Sequence, residues 1–387
     1  MKAADIYAIP PAEQTQSSLD LFLIFAGANV VATTFQVGSS LAASFTTRTT
    51  TLLVVIGSVV GAALVAALAP LGSRLRVPSI IATRPALGMR GAAIVAALLY
   101  GSNFAWIALN NVIAASACAR TFGGSEAAWS AVLGLIATIV VWSGPGAVAQ
   151  ADRVAVPLLV GLGVTLTVAS LRASEAATAL PATPLSWSRG LDVVIGYQVS
   201  WILMFGDYSR YTRSARGSGI AMFVALATTS IWLMPLGAIA ARAAGSDEPG
   251  AMFAAVGLGG AAAVLLTLAT LTTNFVNIYM SALAWKSLVP KTGDATVVWS
   301  IGIVGAALVP VGGVLIAHYY LKQPRTDESF ITALYDASGP FRGVSVPGVA
   351  AWGAGAAAYY AAGAVGGTLP AFAVSILVYL GLRRTAS

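Results

Sequence analysis

Three pairs of residues stand out as able to do chemistry in an otherwise apolar chain: Trp106 with Asn110, Gln198 with Trp201, and Asn274 with Asn277. An indole offers a flat face for stacking, and a primary amide both donates and accepts hydrogen bonds. Such a kit recognises a neutral, planar ring whose edge carries nitrogens with carbonyl or amino groups. A phosphate or carboxylate ligand would call for Arg or Lys in the same segments, and none is there. A membrane enzyme would call for an acid, a base or a metal cluster. The chain has one histidine, His318, and one cysteine, Cys118, which suit structural places better than catalysis. The same polar residues also admit a structural use, with Trp106 anchoring a helix and the amides bonding across helices.

The segments around these residues can only be membrane helices. Of the 387 residues, 58% are hydrophobic and 9% charged, against about 25% charged in ordinary globular domains. Uninterrupted apolar runs at 50–70, 91–119, 127–142, 154–170, 218–241 and 365–382 approach the ~20 residues that carry a helix across a bilayer. Runs of this kind exclude a β-barrel. The net charge of +7 is spread over short loops, which argues against a nucleic-acid face. Arg74, Arg76, Arg84 and Arg90, then Arg210, Arg213 and Arg216, then Lys322, Arg325 and Arg342, and finally Arg383 and Arg384 mark cytoplasmic segments by the positive-inside tendency. Both termini are therefore expected in the cytoplasm and the chain in the inner membrane. Residues 1–18 read as a short cytoplasmic tail, without the basic start and cleavage site of a signal peptide. No P-loop pattern is present, so a solute carried by this chain would move on an ion gradient.

Spans are expected near 19–45, 50–73, 89–119, 127–147 and 152–171, which form a first group over 19–171. A connecting segment, 172–190, holds Pro181 and Pro184. The second group, 191–321, holds spans near 191–207, 217–243 and 252–285 and the interval 295–321. After a cytoplasmic loop, 322–344, the remaining 345–387 supplies a helical pair at 345–362 and 365–382. Each group opens with a polar interruption, Gly27-Ala28-Asn29 and Gly196-Tyr197-Gln198. Breaks at corresponding places in two halves point to a midplane binding site. The apolar interval 295–321 suits one comfortable crossing or two incomplete ones, so about eleven clear spans are expected, with irregularity near Leu308 to Val311. Gly57 and Gly61 match a GxxxG spacing and read as helix packing.

Several ordered motifs carry a family resemblance over nearly the whole chain. They are the loop from Arg74 through Pro78, Arg84 and Gly88 to Gly91, then Asn103-Phe-Ala-Trp106-Ile-Ala-Leu-Asn110, then Ser200-Trp201 through Asp207-Tyr208-Ser209-Arg210-Tyr211. Leu271-Thr-Thr-Asn274-Phe-Val-Asn277 and the later His318-Tyr-Tyr-Leu-Lys, Leu334-Tyr335 and Phe341-Arg342-Gly343 follow. In order and spacing the chain resembles the nucleobase–cation symporter family, which contains cytosine, purine, allantoin and hydantoin permeases. The resemblance implies an all-α membrane fold of two inverted five-helix repeats, sodium-symporter-like, plus two C-terminal helices, here with a shortened ninth and tenth span. It also implies alternating access.

Residue by residue, Trp106 matches the stacking aromatic of span three, and Asn110, one turn later, stands where the family often has Gln. Asn277 matches the span-eight amide, with Asn274 as its competitor. In span six the family's second stacking aromatic falls on Gln198, a departure, with Tyr197 beside it and Trp201 three residues on. The Val199-Ser200-Trp201 and Asp207-Tyr208 pattern resembles the thiamine-precursor branch, whose proposed substrate is hydroxymethylpyrimidine; cytosine comes next, then a purine or hydantoin-like ring. For the coupling ion the resemblance suggests sodium, held by backbone oxygens of Ala26, Asn29 and Ala269 and by the hydroxyls of Thr272 and Thr273. These threonines could equally serve the preceding helical turn. Proton coupling is disfavoured, because the cavity shows no buried carboxylate or histidine and Asp207 is expected to pair with Arg210 or Arg213. Beyond the coupling ion no cofactor is expected, and the transporter is expected to act as a monomer in the bilayer.

Overall fold

The structure, a computed structural model, describes residues 6–143, 145–173, 184–246, 249–257, 259–287, 319, 327–336, 338–362 and 366–384. The described residues are helical throughout, with one isolated β-bridge between Gln16 and Thr212.

The first span is two helices. α1 (Ser18–Asn29) starts on a capping box, in which the Ser17 hydroxyl accepts from the Asp20 backbone N–H and the Ser17 N–H donates to the Asp20 carboxylate at 2.9 Å. The β-branched pair Val30-Val31 ends it, with Val31 fully extended, and α2 (Ala32–Ala42) resumes at a bend of 52°. The second span joins α3 (Thr47–Ala66) and α4 (Ala69–Leu75), and α5 (Ser79–Ala82) is a short turn of helix after it. α6 (Arg84–Phe122), α7 (Glu126–Trp142) and α8 (Pro145–Ala173) complete the first half. The sixth span is broken like the first: α9 (Trp187–Val199) gives way to a tight 3-10 turn at Ile202–Met204 and then to α10 (Phe205–Ser209). α11 (Ala215–Ala244), α12 (Pro249–Ala255) and α13 (Gly259–Ser287) follow, then the loop helix α14 (Glu328–Ala333) and the closing pair α15 (Val346–Ala361) and α16 (Thr368–Arg384). Thr47–Leu75, Arg84–Asn103, Gly146–Arg172 and Ala215–Ala244 are each long and apolar enough to cross a membrane, as is the bent pair α1–α2 taken together.

The packing pairs the two halves in an inverted sense. α1 and α2 both lie along α11, while α9 and α10 lie along α3 and α4. α6 and α13 close the bundle against each other. The α2–α11 contact is backbone to backbone: a side chain at Gly38 would strike the Met234 carbonyl, and one at Gly237 would strike the Phe35 carbonyl. Gly57 and Gly61 face α9 in the same way, against Val194 and Gln198, which is the packing use expected of them.

The basic loops gather at one end. The tail laces them together: Ile9 N–H donates to Arg76 O at 3.0 Å, and the Gln14 amide donates to Ser73 O, Arg210 O and Thr212 O at 2.8–3.2 Å. Arg84 donates to Leu334 O at 2.8 Å and Met89 N–H to Phe341 O at 2.7 Å. Gly88 makes that docking possible. Its φ of 76° interrupts α6 and lets the backbone of Gly343 come against it, where any Cβ would collide.

Two boundaries differ from expectation. The eighth span starts at Gly259, because Pro249–Ala255 is a separate short helix turned off by Gly257 at φ 79°. The second break opens after Val199 and not at 196–198, since Gln198 holds its turn by docking on α11. Nearly all of the interval 295–321, with His318 and the expected irregularity near Leu308 to Val311, lies outside the described residues.

Candidate functional site

Between the two breaks lies a cavity of about 320 Å3, counting the part open to solvent. α6 gives it Trp106 and Asn110, α13 gives Thr273 and Asn277, and the second break gives Tyr197 from the last turn of α9 and Trp201 from just beyond it. Side chains at i and i+4 share one face of a helix, so the α6 and α13 pairs each turn one face to the cavity, while the turn after Val199 brings Trp201 to the same wall as Tyr197. Val31 and Thr33 from the first break and Ser200 and Met204 from the second fill the remaining wall. Every lining residue is uncharged.

The wall has defined hydrogen-bonding faces. Asn110 donates its amide N–H to Trp106 O at 2.9 Å, which fixes the amide's orientation, and its Oδ1 is buried without a partner. The Trp201 indole N–H is likewise buried without a partner, while its ring is held edge-on by Phe25 at 6.0 Å between centroids. An unpaired acceptor and an unpaired donor thus belong to two residues of one uncharged cavity. Each is costly to bury unless a ligand satisfies it.

Of the oxygens suggested for sodium, the Thr272 and Thr273 hydroxyls reach the end of α1, where they bond to the carbonyls of Gly27 and Ala28 and not to those of Ala26 and Asn29. Thr272 donates its hydroxyl to Gly27 O at 2.9 Å and to Ala269 O at 3.0 Å, and Thr273 donates to Ala28 O at 2.7 Å. Ala26 O accepts from Val30 N–H at 2.9 Å, and Asn29 O accepts the Thr34 hydroxyl. The Asn29 side chain turns away to α11, donating to Thr229 and Ser230 at 2.7 and 2.8 Å, so only its backbone oxygen serves the break. Carbonyls at a helix C-terminus carry the negative end of its dipole and suit a cation. A hydrogen-bond relay ties this end to the cavity. Thr34 spends its one proton on Asn29 O, so the Tyr197 phenol is the donor in its bond to Thr34.

Comparison with known proteins places this geometry. Residues 8–298 match the family of permeases for cytosine/purines, uracil, thiamine and allantoin. The chain belongs to this family. A cytosine permease from Escherichia coli strain K12 is 26% identical over 349 residues, covering 84% of this chain and 83% of that protein. Among solved structures, the fold matches Mhp1, a nucleobase-cation-symport-1 family transporter closed around bromovinylhydantoin, with a TM-score of 0.80, 16% identity and coverage of 99% of this chain and 95% of that one. A Na+-coupled sialic acid symporter shares the fold at a TM-score of 0.65 and 11% identity, covering 98% and 90%. The protein is a multi-pass membrane transporter and not an enzyme.

Two predicted residues of this permease stand off the cavity wall. Gln198, one residue from Tyr197 and so about 100° around the helix, packs on Gly61 of α3 and donates to Leu226 O on α11 at 3.4 Å. Asn274, one residue from Thr273, donates to Asn111 Oδ1 at 3.1 Å between α13 and α6. Asp207 interacts with Arg210 through its charge, as expected, but its hydrogen bonds go to Ser79. It accepts the Ser79 backbone N–H at 2.9 Å, and the Ser79 hydroxyl accepts from Gly206 N–H at 2.8 Å, clamping α10 to α5. Cys118 is buried against the Thr267 hydroxyl at 3.0 Å.

Sequence reasoning missed one residue of this region. Asp152 in α8 is fully buried at 0% exposure, and a side chain on Gly27 would lie 3.6 Å from its Oδ1. Next to Arg153 at the edge of an apolar run, it reads as a solvated charge. No sequence signal shows otherwise, because Asp20, which takes Arg153 as its partner, lies 133 residues away.

Proposed function

We propose that the permease takes up a neutral aminopyrimidine with sodium by alternating access, hydroxymethylpyrimidine first and cytosine next. The observation that carries this reading is the uncharged cavity wall, in which indole and phenol faces accompany one orphaned acceptor, Asn110 Oδ1, and one orphaned donor, Trp201 Nε1. Both pyrimidines present an exocyclic amino group beside a ring nitrogen, an edge that gives one hydrogen bond and takes one. The similarity to cytosine permeases supports a pyrimidine. Trp106 stacks on the ring, Asn110 and Trp201 read its edge, Tyr197 and Asn277 close its flanks, and Gln198 and Asn274 set the helices that present them.

Sodium enters as co-substrate at the α1 carbonyls of Ala26 and Asn29, the Ala269 carbonyl, and the Thr272 and Thr273 hydroxyls. Thr273 stands on the cavity wall and at the α1 end at once, and the Tyr197–Thr34–Asn29 relay runs between them. Each site can therefore favour the conformation that the other needs, which is the requirement for coupling. The gathering of the basic loops at one end supports an inner-membrane orientation with both termini cytoplasmic. The transporter is proposed to act as a monomer.

The test is uptake into proteoliposomes with competition by hydroxymethylpyrimidine, cytosine, uracil, adenine, hypoxanthine, allantoin and hydantoins, in sodium or in choline. Competition by the aminopyrimidines in sodium alone is the expected outcome. Strongest competition by a purine or hydantoin would overturn the substrate, and uptake that follows a proton gradient with sodium absent would overturn the ion.

A further inference from the structure

We propose that Asp152 supplies an anionic ligand to the coupling cation, seated against the end of α1 beside Thr272. The proposal rests on the sodium reading above and extends it to a third helix.

Both oxygens of the Asp152 carboxylate are buried without a hydrogen-bond partner. The adjacent arginine does not neutralise it, because the Arg153 guanidinium is engaged by Asp20 at 2.6 and 2.8 Å. A side chain added at Gly27 would fall 2.8 Å from Val156 Cγ2, 3.5 Å from Thr272 Cβ and 3.6 Å from Asp152 Oδ1, so the carboxylate and the threonine approach the Gly27 backbone beside a Val156 methyl group. Thr272 is fully buried and already reaches Gly27 O from that side.

An ionisable carboxyl inside a membrane bundle that has no hydrogen-bond partner marks a functional place. Apart from the Val156 methyl, the polar groups at hand are oxygens: backbone carbonyls at the end of α1 and the Thr272 and Thr273 hydroxyls on α13. No cation from the protein faces the carboxylate among these contacts. A small monovalent cation would complete the spot, and its charge would be cancelled by Asp152 alone. The neutral carbonyls and hydroxyls then set its coordination while the carboxylate sets its affinity. The ion-coupling site accordingly spans α1, α13 and α8, and α8 joins the elements whose position depends on whether the cation is bound.

The experiment uses the full chain in detergent micelles, titrated with sodium chloride against choline chloride at constant ionic strength, with the thermal unfolding midpoint as readout. In the wild type the midpoint is expected to rise with sodium. Asp152→Asn and Asp152→Ser are expected to shift the half-saturating sodium concentration upward by about tenfold or more. A wild type indifferent to sodium would overturn the sodium reading together with this proposal. A wild-type response that both variants keep with a smaller shift would overturn this proposal alone. Where neither variant folds, carbodiimide modification of wild-type Asp152, read by mass spectrometry, decides: protection by sodium supports the ligand role, and equal modification with and without sodium rejects it.

Discussion

The two broken spans are built from similar material and are closed off in different ways. At the first break, between α1 and α2, hydroxyls from α13 and α2 cover the freed carbonyls of Gly27, Ala28 and Asn29. At the second, after Val199, the backbone covers itself through short-range bonds, Trp201 N–H to Gln198 O at 3.2 Å and Met204 N–H to Trp201 O at 3.0 Å, leaving Tyr197 and Trp201 free to face the cavity. A break lined by borrowed hydroxyls concentrates oxygen. A break that closes on itself presents side chains. The inverted architecture thus makes two similar interruptions, and the function proposed above gives the ion to one and the ring to the other.

The contrast is broken most forcefully at Trp106. Removing its indole by Trp106→Ala should weaken substrate binding by about 10- to 100-fold, the range expected for one base-to-aromatic stack, with the half-saturating sodium concentration unchanged. Substrate affinity and sodium dependence measured on the same purified variant test this, and a parallel loss of both would dissolve the division of labour. Thr273→Ala should act at the border. Losing its bond to Ala28 O should raise the sodium requirement by roughly fivefold to tenfold, the scale of one buried hydrogen bond, with a smaller effect on substrate binding measured at saturating sodium. A substrate defect larger than the sodium defect would move Thr273 to the ring side.

Much of this arrangement was legible in the sequence, and the limits have physical causes. The first break was visible as Gly27-Ala28-Asn29, next to the β-branched pair that ends α1. The second was placed a few residues early, because Gly196-Tyr197-Gln198 looks like an interruption while the Gln198 amide in fact secures the helix on Leu226. Polarity identified the spans that line the cavity but not the faces. Gln198 and Asn274 share their spans with Tyr197 and Asn277, although the i, i+4 spacing of Thr273 with Asn277 selects the inward face of α13, and in the sixth span only the turn after Val199 shows that Trp201 joins Tyr197 on the wall. The start of the eighth span was hidden because α12 is as apolar as a membrane helix, and the positive φ of Gly257 has no hydropathy signature. Asp152 was hidden for a different reason: only the tertiary pairing of Arg153 with Asp20 shows that its charge is unanswered.

The link between the two breaks is one hydroxyl long, and Tyr197→Phe removes it while keeping the ring. Thr34 keeps its bond to Asn29 O but loses the phenol that positions it. Affinity for substrate in saturating sodium should change by less than about threefold. The factor by which sodium improves substrate binding should fall, and by linkage the factor by which substrate improves sodium binding should fall equally. Isothermal titrations of each ligand with and without the other measure both factors. Coupling as strong as in the wild type would show that the relay is only structural.

The smallest effect is expected from Asn274→Ala, and its smallness is what gives it value. Asn274 shares a helix with Thr273 and Asn277 and is fully as polar, yet it faces Asn111 on α6 rather than the cavity. Truncation leaves the Asn111 Oδ1 acceptor one donor short, although Asn111 also holds Ser130 through its own amide N–H, at 3.0 Å to the backbone oxygen. Stability should fall by about 1 kcal/mol, read as a lower unfolding midpoint, while substrate affinity and sodium requirement each stay within about twofold of wild type. The reverse pattern, intact stability with weakened binding, would mean that polarity along α13 matters more than its face. The assignment of ring and ion to separate breaks would then lose its geometric basis.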